Sequence, residues 1–154
     1  MVRRVIIDCD PGQDDAVALL LALASEDELD LAGITCVAGN VPLRHTVRNA
    51  LRVRELSGRR AVPVYAGCPA PILRPLATAE DVHGKTGLDG VDLPEPDHGA
   101  EERHAVEFII ESCRAAPDGG ITLCPIGPMT NIAMALVMVP EIRRSIREIA
   151  FMGG

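Results

Sequence analysis

Aromatic residues are scarce in this sequence, which has no tryptophan, one tyrosine and two phenylalanines. Basic residues are also in the minority, because 15 lysines and arginines stand against 22 aspartates and glutamates and leave a formal net charge of −7. Proteins that bind nucleic acids ordinarily offer a basic surface to the phosphates and aromatic rings to the bases. The composition therefore argues against a nucleic-acid-binding protein, and we expect no nucleic acid partner.

The chain also lacks cysteine pairs of the CxxC type and long apolar runs. Its five cysteines lie mostly within apolar stretches, which is typical of buried thiols in a reducing compartment. The longest apolar run, residues 16–24, is much shorter than the ~20 residues that cross a bilayer. The first residues do not contain the apolar core of a signal peptide. We therefore expect a cytoplasmic protein with no membrane partner.

What the sequence does contain is an alternation of short apolar segments with longer amphipathic ones. Segments 4–9, 31–38, 62–66, 121–126 and 149–152 are short, apolar and bounded by Gly, Pro or Asp, as buried strands are. Apolar residues at i, i+3, i+4 spacing predict helices over 14–25, 43–56 and 105–115, one from 128 to about 137, and a short one over 141–147. This order predicts an α/β fold with a mostly parallel sheet.

The segment 67–99 is rich in proline and has no clear periodicity. Irregular segments of this length in a compact domain are usually binding loops or linkers. It includes the sequence HGKTGLDG at 83–90, which favours a binding loop. The Gly-Lys-Thr within it does not indicate a phosphate-binding P-loop, because position 79, where the pattern requires glycine, is alanine.

Four aspartates fall within eight residues around the end of the first predicted strand: Asp8, Asp10, Asp14 and Asp15. A Pro-Gly pair between them predicts the turn that leads from the strand into the first helix. In an open α/β sheet, ligands bind at the carboxyl ends of the strands. These aspartates are therefore the leading candidates for a functional site.

One or two of these acids need no ligand to explain them. Asp14 and Asp15 would lie in the first turn of the helix, where each would stabilise it by ~0.3–1 kcal/mol through its interaction with the helix dipole. Asp10 could similarly cap the helix. Four converging acids are different, because two like charges ~4 Å apart repel by about 4 kcal/mol at an effective dielectric constant of 20. A bound cation removes this repulsion, and oxygen ligands without His or Cys favour Ca²⁺ or Mg²⁺ over zinc.

Two known families place acidic residues after a first strand. The haloacid-dehalogenase-type phosphatases have DxDx[TV], but Gly12 stands where Thr or Val is expected, and no helical cap insert is evident. Residues 8–19, DCDPGQDDAVAL, resemble the DxDPGxDDxxAL signature of the calcium-dependent nucleoside N-ribohydrolases at every specified position. Further segments are similar to that family's motifs and follow their order: VAGN at 37–40, VPVYAG at 62–67, HGKTGLDG at 83–90, PIGPMTNIA at 125–133 and FMGG at 151–154.

This resemblance to the inosine-uridine preferring nucleoside hydrolases implies a Rossmann-like fold, with an open, mostly parallel sheet and helices on both faces. It implies hydrolysis of the N-glycosidic bond of ribonucleosides to free base and ribose. By the same resemblance, Ca²⁺ is held by Asp10, Asp15 and the backbone carbonyl of Ile126. Asp10 is then also the catalytic general base toward a calcium-bound water, since a nearby carboxylate must accept the proton.

The resemblance also assigns residues to the substrate. Asp8 is expected to orient the loop that carries the ligands, whereas Thr130 and Asn131 are expected only to pack and form hydrogen bonds at a helix start. The residues expected to bind the ribose or the base are Asp14, Asn40, His83 and Met152.

The matched motifs correspond to about the first half of the family's length. We therefore expect residues 1–154 to be the N-terminal part of a single, truncated α/β domain, without a further calcium-binding Asp and a neighbouring His implicated in protonating the leaving group. Family members are commonly homo-oligomers, and we expect the same of the completed domain. Two alternatives stay open: a non-catalytic remnant that binds a cation and ribose, and a haloacid-dehalogenase-like phosphatase that uses Asp8 and Asp10.

Overall fold

The computed structural model describes residues 2–152, which form five strands, five α-helices and one 3₁₀ helix. Within these residues, no helix combines the length and the apolar composition needed to span a membrane. The strands are β1 (Arg3–Cys9), β2 (Leu29–Cys36), β3 (Val64–Ala66), β4 (Ile121–Pro125) and β5 (Ile146–Ile149). The α-helices are α1 (Gln13–Ala24), α2 (Leu43–Ser57), α3 (Glu80–His83), α4 (Ala105–Ala115) and α5 (Thr130–Met138), and the 3₁₀ helix is Pro140–Arg144.

The five strands form one sheet in the order β3-β2-β1-β4-β5, and every neighbouring pair is parallel. The chain therefore builds the sheet outward from β1 in one direction through β2 and β3, and then returns to the other side of β1 for β4 and β5. Such a reversal is a topological switch point, where the loops after adjacent strands diverge and leave a crevice. The expected Rossmann-like α/β fold is confirmed, and its sheet is parallel throughout.

Helices cover both faces of the sheet. Successive side chains of β1 point to opposite faces and therefore pack into two separate hydrophobic clusters. Ile7 faces the cluster built with α1 and α2, which also contains Leu19 and Val53. Its neighbour Ile6 is fully buried in the opposite cluster, where it joins Ile109 of α4 and residues of α5. Burial on both faces explains why the β1 sequence is a continuous apolar run rather than an alternating one.

The end of the chain differs from the sequence-based prediction. The last strand was expected at 149–152 but lies at Ile146–Ile149, and the short helix expected over 141–147 is the 3₁₀ helix Pro140–Arg144. The sequence does not predict a strand at this position because it has no continuous apolar run there. Its two central residues, Arg147 and Glu148, are exposed at the edge of the sheet. Gly153 and Gly154, the last two residues of the FMGG motif, lie outside the described residues.

The long segment between β3 and α4 has one short helix, α3, and is tied to α2 by arginine side chains. Arg48 pairs with Glu95 at 2.7 Å, and Arg54 donates a hydrogen bond to the carbonyl of His98 at 3.0 Å. Because α2 packs on the sheet, these bonds hold the irregular segment at a defined place against α2.

Gly33 of β2 provides a test of the packing between the sheet and α4. The rings of Tyr65 and Phe108 stack with their centroids 3.9 Å apart, and a Cβ atom at Gly33 would lie 2.7 Å from Phe108 Cζ. We expect Gly33→Ala to lower the free energy of unfolding by about 1–3 kcal/mol, because the methyl group overpacks this contact. Urea denaturation measures the change, and Gly99→Ala, where a Cβ would meet nothing within 4 Å, is the matched control. Equal stabilities of the two variants would contradict this packing.

Candidate active site at the carboxyl end of the sheet

A cavity of about 440 Å³ lies at the carboxyl end of the sheet, where β1, β2 and β4 give way to loops. Three of the four clustered aspartates line it, and the fourth, Asp8, does not. The segment 77–79 forms part of the wall, so the proline-rich stretch does reach the cavity, as the binding-loop interpretation requires. The lining residues are Asp10, Asp14, Asp15, Gly39, Asn40, Ala77, Thr78, Ala79, Ile126, Gly127, Pro128 and Met152.

The carboxylate of Asp10 is held where the loops after β1, β2 and β4 meet. It is 5% exposed, and its Oδ2 accepts a hydrogen bond from the backbone N–H of Asn40 at 2.7 Å. The Asn40 side chain in turn donates to the Asp10 carbonyl at 3.1 Å. Gly39 and Gly127 approach the same carboxylate so closely that a Cβ on either would collide with it. These glycines are therefore required by close approach to Asp10.

Asp15 lies against Asp10 at the start of α1. Its Oδ2 accepts a hydrogen bond from the Asp10 backbone N–H at 2.9 Å, and its side chain is 4% exposed. Burial raises the pKa of Asp15 to about 7, and the negative charge of Asp10 adds to the effect. Burial raises the pKa of Asp10 as well. Asp14, by contrast, is exposed at the cavity wall.

Asp8 lies beneath the cavity instead of facing it. Its carboxyl is fully buried, and Oδ1 accepts hydrogen bonds from Thr35 Oγ1 at 2.6 Å and from Asn131 Nδ2 at 2.8 Å. Among residues 2–152, Oδ2 has no hydrogen-bond partner. Burial raises the pKa of Asp8 to about 7, although both hydrogen bonds oppose that rise. The four acids therefore do not all converge on the cavity: three line it, and Asp8 lies beneath them, while its expected role in orienting the loop stays a prediction.

This burial also bears on the phosphatase alternative. That chemistry would need both Asp8 and Asp10 to reach a phosphate group in the cavity. The Asp8 side chain has no exposed surface and is enclosed by Thr35 and Asn131. The geometry therefore disfavours a phosphatase that uses this pair.

Asn131 is the polar residue whose importance sequence reasoning missed. It is fully buried at the start of α5 and donates from Nδ2 to Asp8 Oδ1 and, at 3.0 Å, to the carbonyl of Cys36. Its Oδ1 accepts a hydrogen bond from the backbone N–H of Cys68 at 2.8 Å. One side chain thus joins β1, the end of β2 and the segment after β3. The motif PIGPMTNIA marked its position, but only the fold reveals its partners.

The other expected site residues fall in different places. Ile126 lines the cavity, and so does Met152, although Met152 is 76% exposed. His83 does not line the cavity and lies beside it, half-buried, against Gly12 and Gln13 at the start of α1. The substrate roles expected for Asp14, Asn40, His83 and Met152 remain predictions.

The cavity presents oxygen atoms to a prospective metal ion. Within residues 2–152, no three side chains of His, Cys, Asp or Glu are arranged to hold a metal by themselves. Two buried aspartates, Asp10 and Asp15, nevertheless line the same space as Ile126, and the Asp15 carboxylate accepts a hydrogen bond from the Asp10 backbone N–H. Because Gly39 and Gly127 lack a Cβ, the backbone leaves just enough room for the Asp10 carboxylate. Oxygen donors without sulfur or imidazole suit a hard divalent cation, so the residues fit part of its coordination shell.

Removing the Asn131 side chain provides a test of the buried network. We expect Asn131→Ala to lower the free energy of unfolding by about 1–3 kcal/mol, because Asp8 loses one of its two donors and the Cys68 N–H loses its acceptor. Chemical denaturation followed by circular dichroism measures the change. Thr130→Ala, one position earlier on α5, is the control, since Thr130 is half-buried and its substitution removes none of these bonds. A loss no larger than that of the control would contradict the role assigned to Asn131.

Comparison with known proteins places the chain among nucleoside hydrolases. The family model described as inosine-uridine preferring nucleoside hydrolase matches residues 5–154. An uncharacterized protein of Schizosaccharomyces pombe is 51% identical over 151 residues, which are 98% of this chain and 48% of that protein. The pyrimidine-specific ribonucleoside hydrolase RihB of Escherichia coli is 49% identical over 152 residues, which are 99% of this chain and 48% of RihB.

Solved structures agree with the sequence matches. A purine-preferring ribonucleoside hydrolase from Gardnerella vaginalis superposes with a TM-score of 0.91 at 38% identity, over 99% of this chain and 49% of that chain. A plant nucleoside hydrolase superposes with a TM-score of 0.90 at 34% identity, over 100% of this chain and 48% of that chain. The chain thus spans about half the length of the relatives it matches. It belongs to the inosine-uridine preferring nucleoside hydrolase family.

Proposed function

We propose that this chain contributes the cation- and ribose-binding part of a site that hydrolyses the N-glycosidic bond of ribonucleosides to free base and ribose. The observation that carries the proposal is the convergence of Asp10, Asp14, Asp15 and Asn40 on one cavity at the switch point of the sheet. Family membership supports the reaction class, and the cavity supplies the groups that the reaction needs from this part of the chain.

Asp10 is proposed as the general base. Hydrolysis requires a water molecule to lose a proton while it attacks C1′ of the ribose, and a positioned carboxylate can accept that proton. The Asp10 carboxylate is nearly buried, and the Asn40 N–H fixes one of its oxygens, so its orientation is set before substrate binds. Burial by itself raises the pKa of this carboxyl, and a cation bound beside it would act in the opposite direction.

The ribose is proposed to lie against Asp14, Asn40 and Met152. Asp14 is exposed at the cavity wall and can accept hydrogen bonds from ribose hydroxyls, while Asn40 lines the same wall. Met152 offers an apolar surface to one face of the sugar. Hydrogen bonds from the hydroxyls to a carboxylate strengthen as positive charge develops on the ribose, so they favour the transition state over the ground state.

Ca²⁺ is proposed as the cofactor, with Asp10, Asp15 and the Ile126 carbonyl as its ligands from this chain. When bound, the ion would neutralise the two adjacent carboxylates and make water more acidic. Asp15 supports this assignment because its carboxylate is buried against that of Asp10, where two negative charges are unfavourable without a cation or a proton. Asp8 is proposed to hold the backbone beneath this pair in place.

The same cavity supports a second candidate function, which is binding of a cation and ribose without hydrolysis of a nucleoside, because Asp10, Asp14, Asp15 and Asn40 line it. Either function would involve a ribonucleoside or its ribose as the small-molecule partner. From the resemblance we also propose that the completed domain forms a homo-oligomer. From the cysteine usage we propose a cytoplasmic location.

Calcium should stabilise the chain through the proposed ligands. We expect Ca²⁺ at about 100 times its dissociation constant to raise the free energy of unfolding by about 2.7 kcal/mol, because the ion binds the folded state alone. Thermal unfolding in EDTA and in CaCl₂ measures the effect. The double variant Asp10→Asn, Asp15→Asn should lose it, while Asp118→Asn should retain it, because Asp118 is exposed and precedes the amino end of β4, whose carboxyl end meets the cavity. Calcium stabilisation that survives the double variant would refute the site.

Ribose release is the direct test of the activity. Because relatives carry names of both pyrimidine-specific and purine-preferring enzymes, both inosine and uridine should be supplied, with Ca²⁺ and with EDTA. We expect ribose release that requires Ca²⁺ and falls roughly 10²-fold or more in Asp10→Asn, as loss of a general base predicts. If the wild-type chain releases no more ribose than Asp10→Asn but is still stabilised by Ca²⁺, the non-catalytic function is the correct one.

A further inference from the structure

Gln13 is the unassigned position of the DCDPGQDD motif, and its side chain is bonded to His83. Gln13 Oε1 lies 2.6 Å from His83 Nδ1, and Gln13 Nε2 donates to the carbonyl of His83 at 3.5 Å. The two residues are 70 positions apart in sequence, so the pair joins the start of α1 to the end of α3. Both contacts lie beside the cavity, next to its lining residue Asp14.

The two contacts together favour one position for the proton on the imidazole ring. The backbone carbonyl of His83 can only accept a hydrogen bond, so the NH₂ group of Gln13 must face it. The carbonyl oxygen of the Gln13 amide therefore faces Nδ1. Because that oxygen is also only an acceptor, Nδ1 must be the donor. In the neutral imidazole, Nε2 is then left without a hydrogen and can accept a hydrogen bond.

The loop around His83 is held rigidly enough to keep this arrangement. Asn49 is buried and donates from Nδ2 to the carbonyls of Pro11 at 2.9 Å and Thr86 at 2.8 Å, which ties the Pro-Gly turn to the loop after His83. Gly84 ends α3 with a φ of 80°, a backbone conformation that favours glycine. A Cβ at Gly12 would collide with the His83 ring, so the turn also packs directly on it.

The packing also determines which side of the ring remains available. The ring atoms closest to Gly12 are Nδ1, Cε1 and Cγ, so Nε2 lies on the side of the ring turned away from the turn. Within residues 2–152, Nε2 makes no hydrogen bond, and the residue is half-buried. Nε2 is thus the ring nitrogen that remains available to a donor group of a ligand.

We propose that Gln13 is a positioning residue that holds His83 in the Nδ1–H tautomer and so keeps Nε2 as a hydrogen-bond acceptor beside the cavity. The chemical group that this nitrogen would accept from is a hydroxyl, such as those of a ribonucleoside. The identity of that donor rests on the proposed function, but the tautomer does not.

The tautomer can be measured on the full chain by ¹⁵N NMR of its imidazole nitrogens at pH 8, in EDTA. The spectrum has a control within the same molecule, because Nδ1 of His104 accepts a hydrogen bond from the Val106 N–H at 3.2 Å and must therefore be the unprotonated nitrogen. The signals of His83 are identified by their loss in His83→Asn. We expect opposite tautomers, with the proton on Nδ1 in His83 and on Nε2 in His104.

Two substitutions at Gln13 separate the hydrogen bond from simple packing. Gln13→Glu keeps an acceptor oxygen opposite Nδ1 and should leave the His83 tautomer unchanged. Gln13→Met keeps the length of the side chain without an acceptor, so a large fraction of His83 should move to the Nε2–H form, while His104 does not change. The proposal is overturned if wild-type His83 carries its proton on Nε2, or if Gln13→Met leaves the tautomer as it is.

Addition of inosine or uridine with Ca²⁺ then tests the acceptor role. We expect a shift of the His83 Nε2 signal in the wild type and in Gln13→Glu, and a smaller shift in Gln13→Met. If the backbone amides of Asp14 and Asn40 respond to nucleoside but Nε2 does not, the acceptor role is overturned. If no signal responds, the proposed function fails, whereas the tautomer measured without ligand still supports or overturns the assignment to Gln13.

Discussion

The carboxylate of Asp10 occupies a space that three loops must leave open together. Gly39 after β2 and Gly127 after β4 can approach it only because neither has a Cβ, and the Asn40 N–H takes one of its oxygens. The backbone N–H of Asp10 also donates a hydrogen bond to the carboxylate of Asp15 on α1. The positions of the surrounding loops thus depend on one buried carboxyl group, and their tight backbone contacts fix its orientation.

Beneath that group lies a second polar layer that has no access to solvent. Asp8 is buried with Thr35 and Asn131, and Asn131 continues the network to the backbone of Cys36 and Cys68. Buried polar groups are costly unless they are bonded, so this layer specifies one arrangement of β1, β2 and α5. The two layers divide the aspartates by position: the upper ones line the cavity, and the lower one is hydrogen-bonded to side chains of β2 and α5 beneath it.

Much of the fold could be predicted because hydrophobic periodicity reports burial directly. The first four strands and the helices on both faces follow from apolar runs and i, i+3, i+4 spacing, since a central parallel sheet is buried on both sides. The prediction was wrong at β5, where an edge strand with exposed Arg147 and Glu148 has no such run. The acidic cluster could be recognised equally well, because four aspartates lie within eight residues around the end of β1.

The sequence by itself determined the fold class, the family and the identity of the acids at the end of β1, since each of these is written in local order and spacing. Tertiary structure alone decided that Asp8 lies below the cavity, that Asn131 is its partner and that Gln13 is bonded to His83. The physical reason is distance along the chain. Asp8 and Asn131 are 123 positions apart, and Gln13 and His83 are 70 apart. Hydrogen bonds between such residues exist only once the sheet and its helices have packed, and no local pattern encodes them.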